Sequence, residues 1–437
     1  MIKLMIKLEK FLFYVFIFLI PFQVRYVFNW QANEWNNFFL YLSDIILIGL
    51  FVFSIINKRI KFKKQDIFLF LFLFISFISI FYSSNQSIAV FRFIKLLSYS
   101  FLYMYIVRNI KFLNLKNILL VIFSSGIFQA VLGILQFIKQ SSLGLKFIEP
   151  GVLKPGAYNV ASFIFNDDKI LRAYGSLSHP NVLAGFMLLC IFCFLVLFLK
   201  FDLKKIYLIG FSLFIFTLFL TFSRTSLTVF LILVPLYLLI KFFVIKKMGN
   251  NKERRELSKK LISLFFVFLI ISILSILILS PYLKARFFTI SINEEAVDLR
   301  FFYNKIAIEM IKQKPVIGIG IGNFVFHSQN YPVYLKAGVN MIKSIEPTLE
   351  KLKNNDSIPD WAYQPVHNIY LLIATELGII GLILIGIFVL KTLIKTKTLG
   401  FAFLIIGFLI ISLNDHYFYT LNSGALMFWL GLSLCNT

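Results

Sequence analysis

Charge, cysteine and histidine are all scarce in this chain. Of its 437 residues, 15% are charged, three are cysteine and four are histidine. Three cysteines give no disulfide framework, and Cys190 and Cys193 form a CIFC run inside an apolar stretch, where ordinary packing accounts for them. There is no GxxxxGK[ST] phosphate loop, no Cys/His zinc spacing and no repeat of solenoid period. Acids are the scarcest charges, 20 against 44 Lys and Arg, for a net charge of +24. In a soluble protein that excess would suggest a nucleic-acid partner, so the positions of the basic residues decide its meaning.

Apolar side chains fill the space. The chain is 59% hydrophobic and 18% aromatic, with 55 Phe and a mean hydropathy of +0.86. A soluble fold is already about half apolar and has nowhere to put more, whereas lipid-facing helices accept it. Collagen-like and disordered classes are excluded. At about 20 residues per crossing, the apolar runs between Lys/Arg clusters and polar loops predict about twelve spans. They lie near 11–24, 38–56, 67–82, 88–107, 117–138, 181–199, 206–222, 225–245, 261–280, 367–390, 398–413 and 420–434. The expected fold is an all-α, polytopic integral membrane protein, with 1–437 as a single membrane domain. Lys3, Lys7 and Lys10 precede the first run as in a signal peptide, but Pro21 to Arg25 offers no small-residue cleavage site. An uncleaved helix is expected there.

Orientation follows from where Lys and Arg fall. One set of alternate segments comprises the amino terminus, 57–66, 108–116, 200–205, 241–260 and 391–397. It carries 25 of them in compact stretches, against 17 in the opposite set, ten of these diluted through 281–366. Both termini are therefore expected in the cytoplasm, with the chain in the cytoplasmic (inner) membrane. The basic excess then follows topology, and no nucleic-acid partner is implied. Two long outward loops remain, a first extracytoplasmic loop at 139–180 and a large one at 281–366. Loops beyond about 15 residues usually carry function. In the second, Leu299, Phe302, Ile306 and Met310 share one helical face before Lys314-Pro315, which predicts an amphipathic helix on or in the outer membrane surface.

Basic residues stand where expected helices meet that surface. Arg224, within TFSRTS, occupies a turn so short that it must lie against two helix ends. It is either a snorkelling interfacial arginine or a fixed guanidinium whose fork suits phosphate oxygens. Arg300 opens the amphipathic helix after Glu294, Glu295 and Asp298, which could simply pair with it. His367 begins a span just after Pro365, a helix-start signal. Arg92 and Lys95 lie within the fourth span, where basic residues tend to face a cavity. Gly318, Gly320 and Gly322 form GIGIGNF, but no strand precedes it, so a dinucleotide loop is dismissed and close backbone approach is expected. Asp167 and Asp168 read as a solvated pair in a polar loop, and nothing points to a metal.

Four segments go beyond composition when taken together: RAYGSLSHPN at 172–181, the FSRTS turn, Arg300 through Phe324, and HNIYLLIATELGIIG at 367–381. In this order and spacing, over most of 90–434 and including DHYFYT at 415–420, the chain resembles the O-antigen ligase and polymerase superfamily of membrane glycosyltransferases. The resemblance implies transfer of a glycan from a polyprenyl-diphosphate carrier to a glycan or lipid acceptor outside the cytoplasmic membrane, with no cofactor and no bound metal. By motif, Arg224, Arg300 and His367 match the family's basic residues at the diphosphate. The same motifs put forward Arg172, His179, Asn181, Asn368, Asp415 and His416 as substrate-binding residues. One departure stands out: the family often has Trp four positions after the loop arginine, and here that position is Asn304, beside Tyr303. Ligase and polymerase share these motifs. A proton-coupled exporter or flippase is the alternative from another class, but such proteins place carboxylates deep in spans, and only Asp44 and Glu376 fall well within these.

Overall fold

Apolar runs this long become helices because a backbone in lipid must satisfy its own hydrogen bonds. The computed structural model describes residues 2–31, 33–59, 63, 66–157, 159–287, 295–330 and 363–437. Its helices are α1 (Ile2–Leu19), α2 (Leu42–Ile56), α3 (Ile67–Tyr82), α4 (Gln86–Leu113), α5 (Leu115–Lys139), α6 (Pro180–Lys200), α7 (Tyr207–Leu220) and α8 (Arg224–Lys246). They continue with α9 (Asn251–Phe287), α10 (Glu295–Gln313), α11 (Phe324–Asn330), α12 (Ile369–Ile394), α13 (Leu399–Ile411), α14 (Tyr417–Thr420) and α15 (Asn422–Cys435). Six of them, α4, α5, α6, α8, α9 and α12, are long and apolar enough to cross a membrane. Shorter apolar helices (α2, α3, α7, α13 and α15) run among them. Crossing length is thus shown for six helices, and the expected count of about twelve spans goes beyond it.

The described residues are mostly helical, with two small hairpins that the sequence did not announce. β1 (Arg25–Val27) pairs antiparallel with β2 (Phe39–Tyr41), and β3 (Ser162–Phe165) with β4 (Asp168–Leu171). The second hairpin turns through Asn166 and Asp167, both at positive φ, the two-residue turn that Asn and Asp favour. Asp167 and Asp168 belong to that hairpin. The expected span at 38–56 accordingly begins as a strand, and the last apolar run is divided at Leu421 into α14 and α15.

At the centre stands α6. Pro180 occupies its first turn, the His179 side chain caps it, and Val182 through Phe198 are all buried. A helix apolar on every side belongs in a core, and α6 packs against α5, α7, α8, α9, α13 and α15. Cys190 and Cys193 are free and buried there, as packing residues. The buried acids among the described residues are partnered. Asp44 on α2 pairs with Lys95 on α4, which also reaches Asn422, and Glu9 accepts from Tyr105 and Asn57.

The large loop differs most from expectation. Its 331–362 stretch and Glu294 lie outside the described residues, as do the side chains of Glu295, Asp298 and Leu299. The amphipathic face of α10 is turned onto protein rather than lipid. Phe302, Tyr303, Ile306, Ala307 and Met310 are buried against Ile319, Phe324, Val325, Val366 and Leu372. The glycine run then docks on α12, where Ile319 N donates to Thr375 O, Gly320 N to Glu376 O and Ile379 N to Pro315 O, all at 2.9 Å. The helix breaks to receive it at Gly378, φ 68°. A Cβ at Gly318 would strike the Glu376 backbone, and one at Gly320 would strike Ser83.

Candidate active site

The ends of α6, α8, α9, α12, α13 and α14 meet at one end of the bundle, and the separated motifs meet with them. Arg172, 4% exposed, donates from Nε to Thr221 O at 2.6 Å and from Nη2 to Asn181 Oδ1 at 2.7 Å. Asn181 in turn donates from Nδ2 to Asp415 Oδ2 at 2.9 Å. Asp415 Oδ1 accepts the backbone N–H of His416 at 2.8 Å. One hydrogen-bonded row therefore joins the loop before α6, the start of α6 and the segment before α14.

His416 leads to the second half of the cluster. Its Nδ1 pairs with Thr420 Oγ1 at 2.6 Å, and its ring meets that of His367 edge to face with centroids 4.7 Å apart. Tyr303 on α10 stacks on the far side of His367 at 6.1 Å, and Trp35 lies edge-on to His416 at 5.3 Å. Arg300, one turn before Asn304 on the same helix, is half-buried. It makes no hydrogen bond or ion pair among the described residues, while its charge acts on both His367 and His416. His367 Nδ1 is buried and without a hydrogen-bond partner among the described residues.

Burial governs the electrostatics. It lowers the affinity of His367 for a proton, with Arg300 pushing the same way and Asp415 opposing. Burial likewise holds His416 well below the usual histidine value, helped by His367, Arg92 and Arg300. His179 is lowered by burial and then by Arg172. The three imidazoles are therefore neutral near pH 7, the state able to accept a proton. Burial and the neighbouring Arg286 bring Arg172 down to about 9, so it stays cationic. Among the described residues, no three His, Cys, Asp or Glu side chains are placed to hold a metal ion.

Not every motif residue faces this cluster in the same way. Arg224 opens α8 as expected, and its Nε and Nη2 donate to the carbonyl of Arg286, near the end of α9, at 3.1 and 2.6 Å. It lies close enough for its charge to act on Arg172. His179 and Asn368 cap helices: His179 Nδ1 accepts from Asn181 N at 3.1 Å, and Asn368 Oδ1 from Leu371 N at 3.0 Å. Arg286 and Trp35 went unmarked in the sequence, and Tyr303 was noted there only as the neighbour of Asn304. Arg286 and Tyr303 are ordinary helix residues by pattern, and Trp35 sits in the hairpin between α1 and α2 with nothing local to mark it. Arg92, noted in the sequence, donates to Thr420 O and Trp35 O and so ties that hairpin to α14.

Residues 209–386 match the family model described as O-antigen ligase. The matched stretch runs from α7 into α12 and includes Arg224, Arg300 and His367. It leaves out Arg172, His179, Asn181, Asp415 and His416, which the fold brings to the same place. No curated protein matches the chain. Residues 209–386 are thus similar to the O-antigen ligase family, in agreement with the superfamily that the chain's ordered motifs resemble.

Proposed function

We propose that the protein transfers a glycan from a polyprenyl-diphosphate carrier to an acceptor on the outer face of the cytoplasmic membrane, with both termini in the cytoplasm. The observation that carries this reading is the convergence of motifs far apart in sequence on one cluster, His367 and His416 beside Arg300 and the Arg172–Asn181–Asp415 row. As the bond from the sugar C1 to the diphosphate breaks, negative charge grows on the leaving oxygen. Arg300, Arg224 and Arg172 supply fixed positive charge for it in a partly dehydrated cleft. His367, neutral and with an unbonded buried Nδ1, takes the proton of the acceptor hydroxyl as that oxygen attacks C1. Asp415 and Asn181 hold the surrounding groups in place, and no metal is assigned a step.

A polymerase of the same superfamily uses the same groups, with a second lipid-linked glycan as acceptor. The exporter reading is disfavoured because the carboxylates inside the helices are already engaged, Asp44 by Lys95 and Glu376 by Tyr419 at 3.2 Å. The test is purified protein in nanodiscs with a polyprenyl-diphosphate oligosaccharide, following release of lipid diphosphate. Acceptor-dependent release that disappears in Arg300→Ala establishes the transferase, and a ladder of product sizes identifies a polymerase. Donor moved between leaflets unchanged would replace the reading with a transporter.

A further inference from the structure

The cluster has two chemically different flanks. On one flank three arginines gather: Arg172, whose guanidinium feels Arg286 and Arg224, and Arg224, bonded to the Arg286 carbonyl. That flank suits a diphosphate. On the other flank stands Trp35, edge-on to His416 and half-buried. Trp35 borders two adjoining cavities, sharing them with Arg92, Lys95, Tyr99 and Thr420. The cations there are matched by acids: Asp44 pairs with Lys95, Glu376 lines the inner cavity and Glu34 the outer one. A wall that mixes an indole, two guanidiniums, an acid-paired ammonium and two carboxylates suits an uncharged polyhydroxylated ring better than a phosphate.

We propose that Trp35 is the stacking platform for the acceptor sugar, holding it beside His416, whose ring in turn meets that of His367. This rests on the glycosyltransferase reading above. The hairpin that carries Trp35 is held on three sides. Asn33 Nδ2 donates to Tyr363 O at 2.9 Å, Asn36 Nδ2 to Gln329 Oε1 at 3.0 Å, and Arg92 Nη2 to Trp35 O at 3.3 Å. An indole fixed this way loses little freedom when a ring settles on it. Both cavities are small, about 50 and 40 Å³, room for a water or two and not a pyranose. The sugar therefore lies over the indole at the outer mouth, beside Glu34 and Arg25. Trp35 also lies outside residues 209–386, on a hairpin far in sequence from Arg224, Arg300 and His367.

Saturation-transfer NMR on the full chain in nanodiscs, with cellobiose, maltose and N,N′-diacetylchitobiose as probes, tests the platform without requiring turnover. Signal from at least one disaccharide is expected for the wild type and for Trp35→Phe. It should fall severalfold in Trp35→Ala and stay unchanged in Trp30→Ala, whose indole is 81% exposed and lines neither cavity. Equal signals in wild type and Trp35→Ala, or none from any disaccharide, overturn the proposal. In the release assay, Trp35→Ala should raise the acceptor KM with little change in kcat, whereas mere displacement of His416 would lower kcat. Acceptor-dependent release with Trp35-independent sugar signals removes the platform and leaves the transferase. Sugar signals that depend on Trp35, in a protein that releases no lipid diphosphate, keep the platform and remove the transferase.

Discussion

His367 owes its assignment to surroundings more than to identity. Half-buried, beside Arg300 and with its buried Nδ1 unbonded, it favours the neutral form. The sign of its pH dependence follows. The neutral ring is the active form, so kcat/KM, which reports the free enzyme, should hold level through neutral pH and fall on the acid side with an inflection below 6.5. An inflection above 7 would reverse the assignment to a protonated clamp. His367→Ala and Arg300→Ala should each lower transfer about 100-fold or more, with membrane insertion unchanged by protease mapping. The basic residues themselves were legible in the sequence because they sit in ordered motifs. Their partners were not: that His179 and Asn368 cap helices, and that Arg224 grips the Arg286 carbonyl, depends on helix ends no local pattern brings together.

Among elements, the glycine run and its receiving helix form one unit. Gly378, at φ 68°, faces the Val316 carbonyl closely enough that a Cβ would collide with it. Gly378→Ala should therefore cost more than about 1 kcal/mol, through both backbone strain and displaced hydrogen bonds, read as a lower thermal midpoint in detergent. The sequence marked GIGIGNF as a place of close approach, and it is one; the break in α12 lay hidden because a run of apolar residues at 369–394 reads as a continuous helix. α10 likewise declared its apolar face, while the surface that covers it came from the glycine run and α12. The Asp44–Lys95 pair between α2 and α4 gives a second expectation. Asp44→Ala should destabilise by about 3–5 kcal/mol by stranding a buried ammonium, and adding Lys95→Met should recover most of that loss.

For the whole molecule, composition announced a helical membrane protein and could do so because a bilayer leaves few other solutions. Loop charge alone led to the expected orientation, which scanning cysteine labelling from each side would check: Asn304→Cys should react from outside and Asn250→Cys from inside. Transfer should also survive chelation of divalent ions, and a strict requirement for Mg²⁺ would remove the metal-free mechanism. The hydrogen bond between Asn181 and Asp415 spans 234 positions of chain. During synthesis, then, Arg172 and Asn181 are made well before Asp415 and His416 arrive to complete the row. A chain still short of its last helices therefore lacks the completed row, which closes only when synthesis is nearly finished.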